Sequence, residues 1–490
     1  MSFTDLATPS HPLDTLVIGA GISGLSLAFS LQQRQTQVLV CESQNRIGGN
    51  ITTGQADGFL WEEGPNSFAP TPALLRLIVD AGLEKDMILA DRRLPRFVYR
   101  QGRLQAIPMS PPAAIGTPLL SWSGKLRAGL GAIGFVRPPL GEQYSQQGSE
   151  ETVAQFFQRH LGQEVTERLV TPFVSGVYAG DVNQLSAAAA FRRIAQLEGV
   201  GGGLVAGAIL SRAKAKSQPQ VPVDPSLPKT RPGELGSFQQ GLQMLPQALA
   251  AKLGEAVRLN WRLLQITPTT RQSYIAEFGT PEGTQIVEAR RVVLTTPAYI
   301  TAEILEAIAP LASQALRAIE YPPVANVVLA YPESALKQPL KGFGHLIPRS
   351  EGIRTLGTIW SSSLFPGRVP PGWQLLTNYI GGATDPGILD LDRDSRSNLD
   401  GNRIAQAVHQ DIRRILLKQE VQPKVLAVHL WKRAIPQYNL GHHQRLQTIF
   451  QSLAAFPGLH ICSNYTDGVA LGDCVRRAQE LADILTQKTE

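Results

Sequence analysis

The chain opens on a change of hydrophobic period. Residues 14–18 form a short apolar run fit for a buried strand, and residues 19–24 carry three glycines. Apolar positions then recur at helical spacing over 25–33, and residues 37–41 form a second apolar run that ends at Glu42. Strand, glycine turn, helix and strand in that order predict the start of a parallel α/β sheet. Short runs at 256–259, 291–295 and 459–462 predict returning pieces of that sheet, and 475–485 predicts a closing helix.

Two inserts interrupt this pattern. Residues 92–211 read as helix-rich with Pro/Gly turns, and within them 199–210 is an apolar helix too short to cross a bilayer. Residues 301–428 alternate strands at 326–330, 356–360 and 375–380 with a helix over 403–418. Between the inserts, residues 212–235 are rich in Pro and Lys and have little to bury, which predicts a mobile surface excursion.

Composition narrows the function classes. A chain of 490 residues is too long for one simple core, and 43% hydrophobic with 18% charged residues is a globular balance. The formal charge of +6 suits an anionic partner such as a carboxylated substrate or a membrane face. No dense Lys/Arg run or nucleic-acid motif is present, so no nucleic-acid partner is expected. Cys41, Cys462 and Cys474 are too few for a disulfide framework and too scattered for a metal cluster, so no metal site and a reducing, cytoplasmic setting are expected. The first residues have neither a basic n-region nor an apolar h-region, so no secretory signal is expected. The longest uncharged stretch, 104–124, contains Pro108, Pro111, Pro112 and Pro118, which break any spanning helix.

The chemistry begins at Gly19, Gly21 and Gly24. In a strand–turn–helix, Gly19 permits the tight turn, Gly21 lets the backbone approach a pyrophosphate, and Gly24 allows close helix–strand packing. Glu42, at the end of the next strand, is placed to accept from ribose hydroxyls. The same glycine spacing recurs at Gly129, Gly131 and Gly134, but that copy follows no strand, runs into residues 137–139 and has no downstream acid. It reads as a structural glycine cluster. With one credible fingerprint and no second for NAD(P)H, electrons are expected to leave directly to O2 or another small acceptor.

Past Glu42 the chain continues through Ser43, Arg46, Gly48, Gly49 and Asn50, and here it resembles the FAD-dependent amine oxidase and protoporphyrinogen oxidase family. The resemblance extends over nearly the whole chain, through stretches at 63–68, 173–181, 342–348, 356–366 and 435–438. It implies FAD as cofactor, with the Arg46–Gly49 segment wrapping the pyrophosphate and ribityl region. It adds Gly64, Pro65, Asn66 and Ser67 to the cofactor site, Val257 near the adenine, and Val469, Ala470 and Leu471 at a helix N-terminus aimed at the isoalloxazine.

On the substrate side the resemblance implies a porphyrinogen, a large apolar ring with edge carboxylates. Leu346 and Ile359 would sandwich one pyrrole ring, and Tyr379, often Phe in the family, would stack on another with its hydroxyl in need of a partner. Arg96 would bind a propionate through its guanidinium fork, and Gly176 would lie where the reacting carbon meets the flavin. The implied activity is six-electron oxidation of protoporphyrinogen IX to protoporphyrin IX in tetrapyrrole biosynthesis, with O2 giving H2O2. Rivals are a coproporphyrinogen oxidase of the same family, an amine or carotenoid oxidoreductase, and a flavin-retaining membrane scaffold. No Ser/His/Asp or Cys/His set is visible, and the adjacent His442 and His443 are expected at the surface. Hydride transfer followed by tautomerisation leaves the chemistry to cofactor and substrate.

The expected architecture is therefore α/β. A discontinuous Rossmann-like FAD-binding domain (12–91, 236–300, 429–490) carries a mixed α+β substrate domain (301–428) and a helical insert (92–211). Within that insert Leu119, Leu120, Trp122, Leu126 and Leu130 are expected to face a membrane.

Overall fold

The computed structural model describes residues 12–136, 150–217, 224–393 and 402–487. The glycine copy's expected run into 137–139 lies outside these residues, as does 218–223 of the expected excursion.

The first sheet runs Arg262–Pro268, Tyr274–Thr280, Gly283–Leu294, Leu13–Ile18, Val38–Cys41, Val257–Arg258, with Leu459–Ile461 also paired to Gly283–Leu294. Leu13–Ile18 lies parallel to both neighbours, and Val40 pairs with Val257. The helix Ile22–Gln33 is buried on every side over residues 23–31 and carries only small or apolar side chains there, because it is covered by the sheet on one side and by Met244–Leu253 and Leu471–Thr486 on the other. The opposite sheet face is covered by Ala298–Leu305, Pro310–Arg317 and His442–Leu453. Residues 301–317, expected in the substrate insert, thus belong to the core of the first sheet.

The second sheet runs Lys424–Trp431, Val324–Pro332, Trp373–Gly381, Thr355–Trp360, Gly344–Leu346, Arg96–Arg100, Arg103–Ala106. One face packs on the amphipathic helix Arg403–Leu416, whose buried Ile404, Val408, Ile412 and Ile415 recur at helical spacing and whose first turn is capped by Asn402. The other face receives the hairpin Thr53–Ala56/Phe59–Glu62 and looks toward the first sheet. Two expected boundaries move. Residues 96–106 are strands of this sheet rather than the start of the helical insert, because Arg96 pairs in parallel with Gly344. Residues 429–431 end a strand here rather than belonging to the cofactor lobe.

The helical insert has its own core of Val153, Phe156, Phe157, Val174, Leu185 and Leu204. The helix expected over 199–210 is two, Arg192–Gly201 and Leu204–Ser217, because Gly202 takes a left-handed φ of 70°. No single helix among the described residues is long and apolar enough to cross a membrane, although this pair, bent by 86°, has that length and composition together. Gly131 packs a carbonyl: a Cβ there would stand 1.5 Å from the His160 oxygen, in keeping with a structural role for the second glycine cluster.

Candidate active site

The glycine turn after the first strand is built by backbone proximity. Gly19 has φ 107°, and a Cβ on Gly24 would stand 2.0 Å from the Gly19 oxygen, so neither tolerates a side chain. Thr295, which the sequence reading missed, donates to the carbonyls of Ile18 (2.8 Å) and Gly19 (3.1 Å) and locks the turn to the next strand. A Cβ on Gly21 would meet nothing within 4 Å, so the space above it is open to a ligand. Gly21 caps the helix Ile22–Gln33 without a side-chain cap, leaving its N-terminal N–H groups facing that space.

Glu42 is oriented by its own chain. Its carboxylate accepts from the Ala20 N–H (2.8 Å), the Gln44 N–H (2.9 Å) and the Ser43 hydroxyl (3.2 Å), leaving acceptor capacity for a ribose hydroxyl. Arg46 donates to the Gly49 carbonyl (2.7 Å), and the Gly48 N–H donates to the Ala20 carbonyl (2.8 Å), which holds Gly49 so close that a Cβ on it would stand 3.3 Å from Gly21 Cα. Asn50 is tucked behind this turn: a Cβ on Gly64 would stand 1.9 Å from its oxygen. Pro65 and Ser67 are half-buried, and Asn66 is buried with an Oδ1 that has no partner among the described residues. Such an orphan carries a cost unless a ligand donates to it.

Leu471–Thr486 begins at Ala470, with Val469 before it, and again no side chain caps the helix. Its first turn lies close to the glycine helix, and Gly472 packs on Thr71, where a Cβ would stand 2.7 Å from Oγ1. Cys474, a conceivable flavin tether, is buried, and burial pushes its thiol up to about 11, so little thiolate is available. Two uncapped helix N-termini, the gap above Gly21 and the orphaned Asn66 oxygen fit a bound dinucleotide.

Four of the expected substrate residues share one sheet face. Arg96 and Ile359 flank Gly344 in register, while Leu346 and Tyr379 flank Gly357. Three strand spacings of about 4.8 Å and a two-residue offset along the strands put Arg96 and Tyr379 about 16 Å from each other across the face. Glycines between them keep the floor low: a Cβ on Gly344 would stand 2.1 Å from the Thr358 oxygen. Gly176 faces this floor from the helix Thr171–Tyr178, where a Cβ would stand 2.3 Å from Leu346 Cδ2. The Arg96 guanidinium lies 5.2 Å from the Phe343 ring centroid and has no carboxylate partner among the described residues. The Tyr379 hydroxyl has the partner it needs, the Gly64 carbonyl at 3.3 Å.

The structure also brings in residues with no motif of their own. Glu62 is buried, bonded by Thr53 Oγ1 and the Leu242 N–H, and stands 3.9 Å from buried Arg368; burial pushes its carboxyl up to about 7. His429 Nδ1 lies 3.7 Å from Glu63, and burial holds its imidazole below the usual value. His442 is not at the surface: it is 1% exposed, stacked on Tyr438 and bonded to the Tyr465 carbonyl at 2.9 Å, and burial lowers it to about 4. A polar residue inside an apolar strand, as at His429, is the signal the sequence carries for this group.

Comparison with known proteins agrees with this geometry. Residues 22–486 match the model of the flavin containing amine oxidoreductases. The chain is 44% identical to protoporphyrinogen oxidase 1, chloroplastic, of Spinacia oleracea, over 98% of this chain and 85% of the relative. It is 27% identical to the coproporphyrinogen III oxidase of Bacillus subtilis, over 96% of this chain and 97% of that one. A solved Exiguobacterium sp. 255-15 structure, assigned provisionally as a protoporphyrinogen oxidase, superposes with a TM-score of 0.76 at 23% identity, over 97% of this chain and 99% of that one, which shows the fold. The chain is an FAD-dependent enzyme that belongs to the flavin-containing amine oxidoreductases and, within them, to the protoporphyrinogen oxidase family.

Proposed function

We propose that this enzyme oxidises protoporphyrinogen IX to protoporphyrin IX in tetrapyrrole biosynthesis, with O2 as the electron acceptor. The observation that carries the reading is the 44% identity to the spinach enzyme across nearly the full chain. The shared sheet face of Arg96, Leu346, Ile359 and Tyr379 supports it.

Bound FAD supplies the two-electron chemistry, and each two-electron oxidation of the ring passes its electrons on to one O2, giving H2O2. The chain's own residues bind and orient. The N–H groups after Gly19, Gly21 and Gly24, with Arg46, Gly48, Gly49 and Asn50, hold the pyrophosphate and ribityl region. Glu42 and Ser43 hold the ribose, and Val257 lies by the adenine. Gly64, Pro65, Asn66 and Ser67 line the flavin, and the helix start at Val469, Ala470 and Leu471 favours negative charge on its pyrimidine end. Leu346, Ile359 and Tyr379 make an apolar floor for the macrocycle, Arg96 takes a propionate, and the backbone of Gly176, packed on Leu346, lies near the reacting carbon. Aerobic incubation with chemically reduced protoporphyrin, followed by porphyrin fluorescence, tests this; no turnover refutes it.

The helical insert is proposed to bind a membrane surface. Trp122 (75% exposed), Leu126 (66%) and Phe135 (71%) stand out in water with Ile115 and Ile133, and isolated globular surfaces rarely carry such a cluster. Of the positions expected from sequence, Leu119 is buried at 0% and Leu120 half-buried, so neither is free to face a membrane as Trp122 and Leu126 are. Trp122→Glu/Leu126→Glu is expected to lose most liposome flotation while the wild type floats. Equal behaviour of the two proteins contradicts the proposal.

A further inference from the structure

We propose that Asn326, Trp431 and Tyr379 are positioning residues for the flavin, three donors from adjacent strands that fix the height of the 63–67 loop. The proposal rests on the reading that this loop lines the cofactor. Its basis is a run of consecutive carbonyls, each held by a different strand of the substrate sheet. Asn326 Nδ2 donates to Glu62 O (3.0 Å), Trp431 Nε1 to Glu63 O (2.8 Å) and Tyr379 Oη to Gly64 O (3.3 Å). The register makes this possible: Asn326 pairs with Tyr379 on one side and with His429, two residues before Trp431, on the other. All three side chains therefore emerge on the face that looks toward the first sheet.

Packing alone does not account for these residues. Asn326 is 1% exposed in the otherwise apolar strand Val324–Pro332, and its Oδ1 has no partner among the described residues. An apolar side chain would avoid that desolvation, so the Nδ2 bond to the loop is what the amide supplies. Trp431 lies against the His429 ring, centroids 4.1 Å apart and planes tilted by 40°, and its N–H meets Glu63 O. A trans peptide sends its N–H opposite to its carbonyl, so the bond at Glu63 O turns the Gly64 N–H away from the sheet. Behind the loop, Gly64 abuts the Asn50 carbonyl and cannot retreat. Tyr379 also lies on the substrate floor, so one hydroxyl joins that floor to the cofactor loop.

The test uses holoenzyme variants Trp431→Phe and Tyr379→Phe beside Gly64→Ala, whose Cβ would displace the loop directly. The readouts are the FAD dissociation constant, the visible circular dichroism of the bound flavin, and the split between kcat and KM. Loss of one loop bond is expected to weaken FAD binding roughly five- to tenfold. The flavin dichroism should change in both variants, and Trp431→Phe should lower kcat with KM unchanged. If Gly64→Ala alters these readouts and neither Phe variant does, the positioning role is overturned while the loop's place by the flavin stands. If Gly64→Ala also leaves them at wild-type values, the loop does not line the flavin and the proposal falls with that reading. Should Trp431→Phe fail to fold, Tyr379→Phe, which removes a single oxygen, carries the test alone.

Discussion

Gly24→Ala is expected to yield colourless protein destabilised by about 3 kcal/mol, the upper end of ordinary overpacking. The added Cβ would stand 2.0 Å from the backbone oxygen of Gly19 and 2.8 Å from Thr295 Oγ1. Thr295 can rotate, but the Gly19 carbonyl cannot move without tilting the helix Ile22–Gln33 away from the strand Leu13–Ile18. That tilt displaces the N–H groups meant for the pyrophosphate, so stability and flavin content should fall together. Gly129→Ala is the matched control. It belongs to the other glycine cluster, lies within the helix Trp122–Ala132 and has nothing within 4 Å of its built Cβ. It should keep full flavin content and gain up to about 1 kcal/mol of helix stability. Flavin-to-protein ratio after gel filtration and thermal melting check both. A Gly24→Ala protein with wild-type flavin content contradicts the assignment of this turn.

Arg96→Ala is expected to raise KM for protoporphyrinogen roughly ten- to a hundredfold, the loss of one charge-assisted contact worth about 1.5–3 kcal/mol. The guanidinium rests on Phe343 and has no carboxylate partner among the described residues, so its fork is available to a propionate. It sits at one edge of the sheet face proposed for the substrate, with the strand Gly344–Leu346 between it and Ile359. The contact should persist from ground state to transition state, so kcat should change less than KM. Arg96→Lys should recover part of the loss, because the charge remains and the bidentate geometry does not. Steady-state kinetics decide this, and an unchanged KM in Arg96→Ala removes Arg96 from the substrate site.

The sequence made the nucleotide turn legible because its determinants are local. Gly19, Gly21, Gly24 and Glu42 lie within one strand–helix–strand unit, and the structure places them where their spacing predicts. Arg96, by contrast, was placed in a helical insert, since the strand holding it pairs in parallel with Gly344–Leu346, a partner remote in the chain. Short strands with remote partners leave little periodic signal. The apolar run at 199–210 predicts one helix because its hydrophobicity is continuous, whereas the left-handed φ of Gly202 divides it. His442 sits beside exposed His443 in a polar-looking dipeptide, and only its stack on Tyr438 reveals a buried side chain. The three donors at Asn326, Tyr379 and Trp431 join side chains to backbone oxygens of a distant loop, a kind of contact that no hydrophobic pattern encodes.

The identity of the substrate is tested most directly by one measurement. Chemically reduced protoporphyrin and coproporphyrin are each supplied aerobically to the purified enzyme, and kcat/KM is taken from the rise of porphyrin fluorescence. With Arg96 as the one arginine assigned to a substrate carboxylate, kcat/KM is expected to be larger for protoporphyrinogen, with H2O2 formed in step. A larger kcat/KM for coproporphyrinogen, or no turnover of either, contradicts the account.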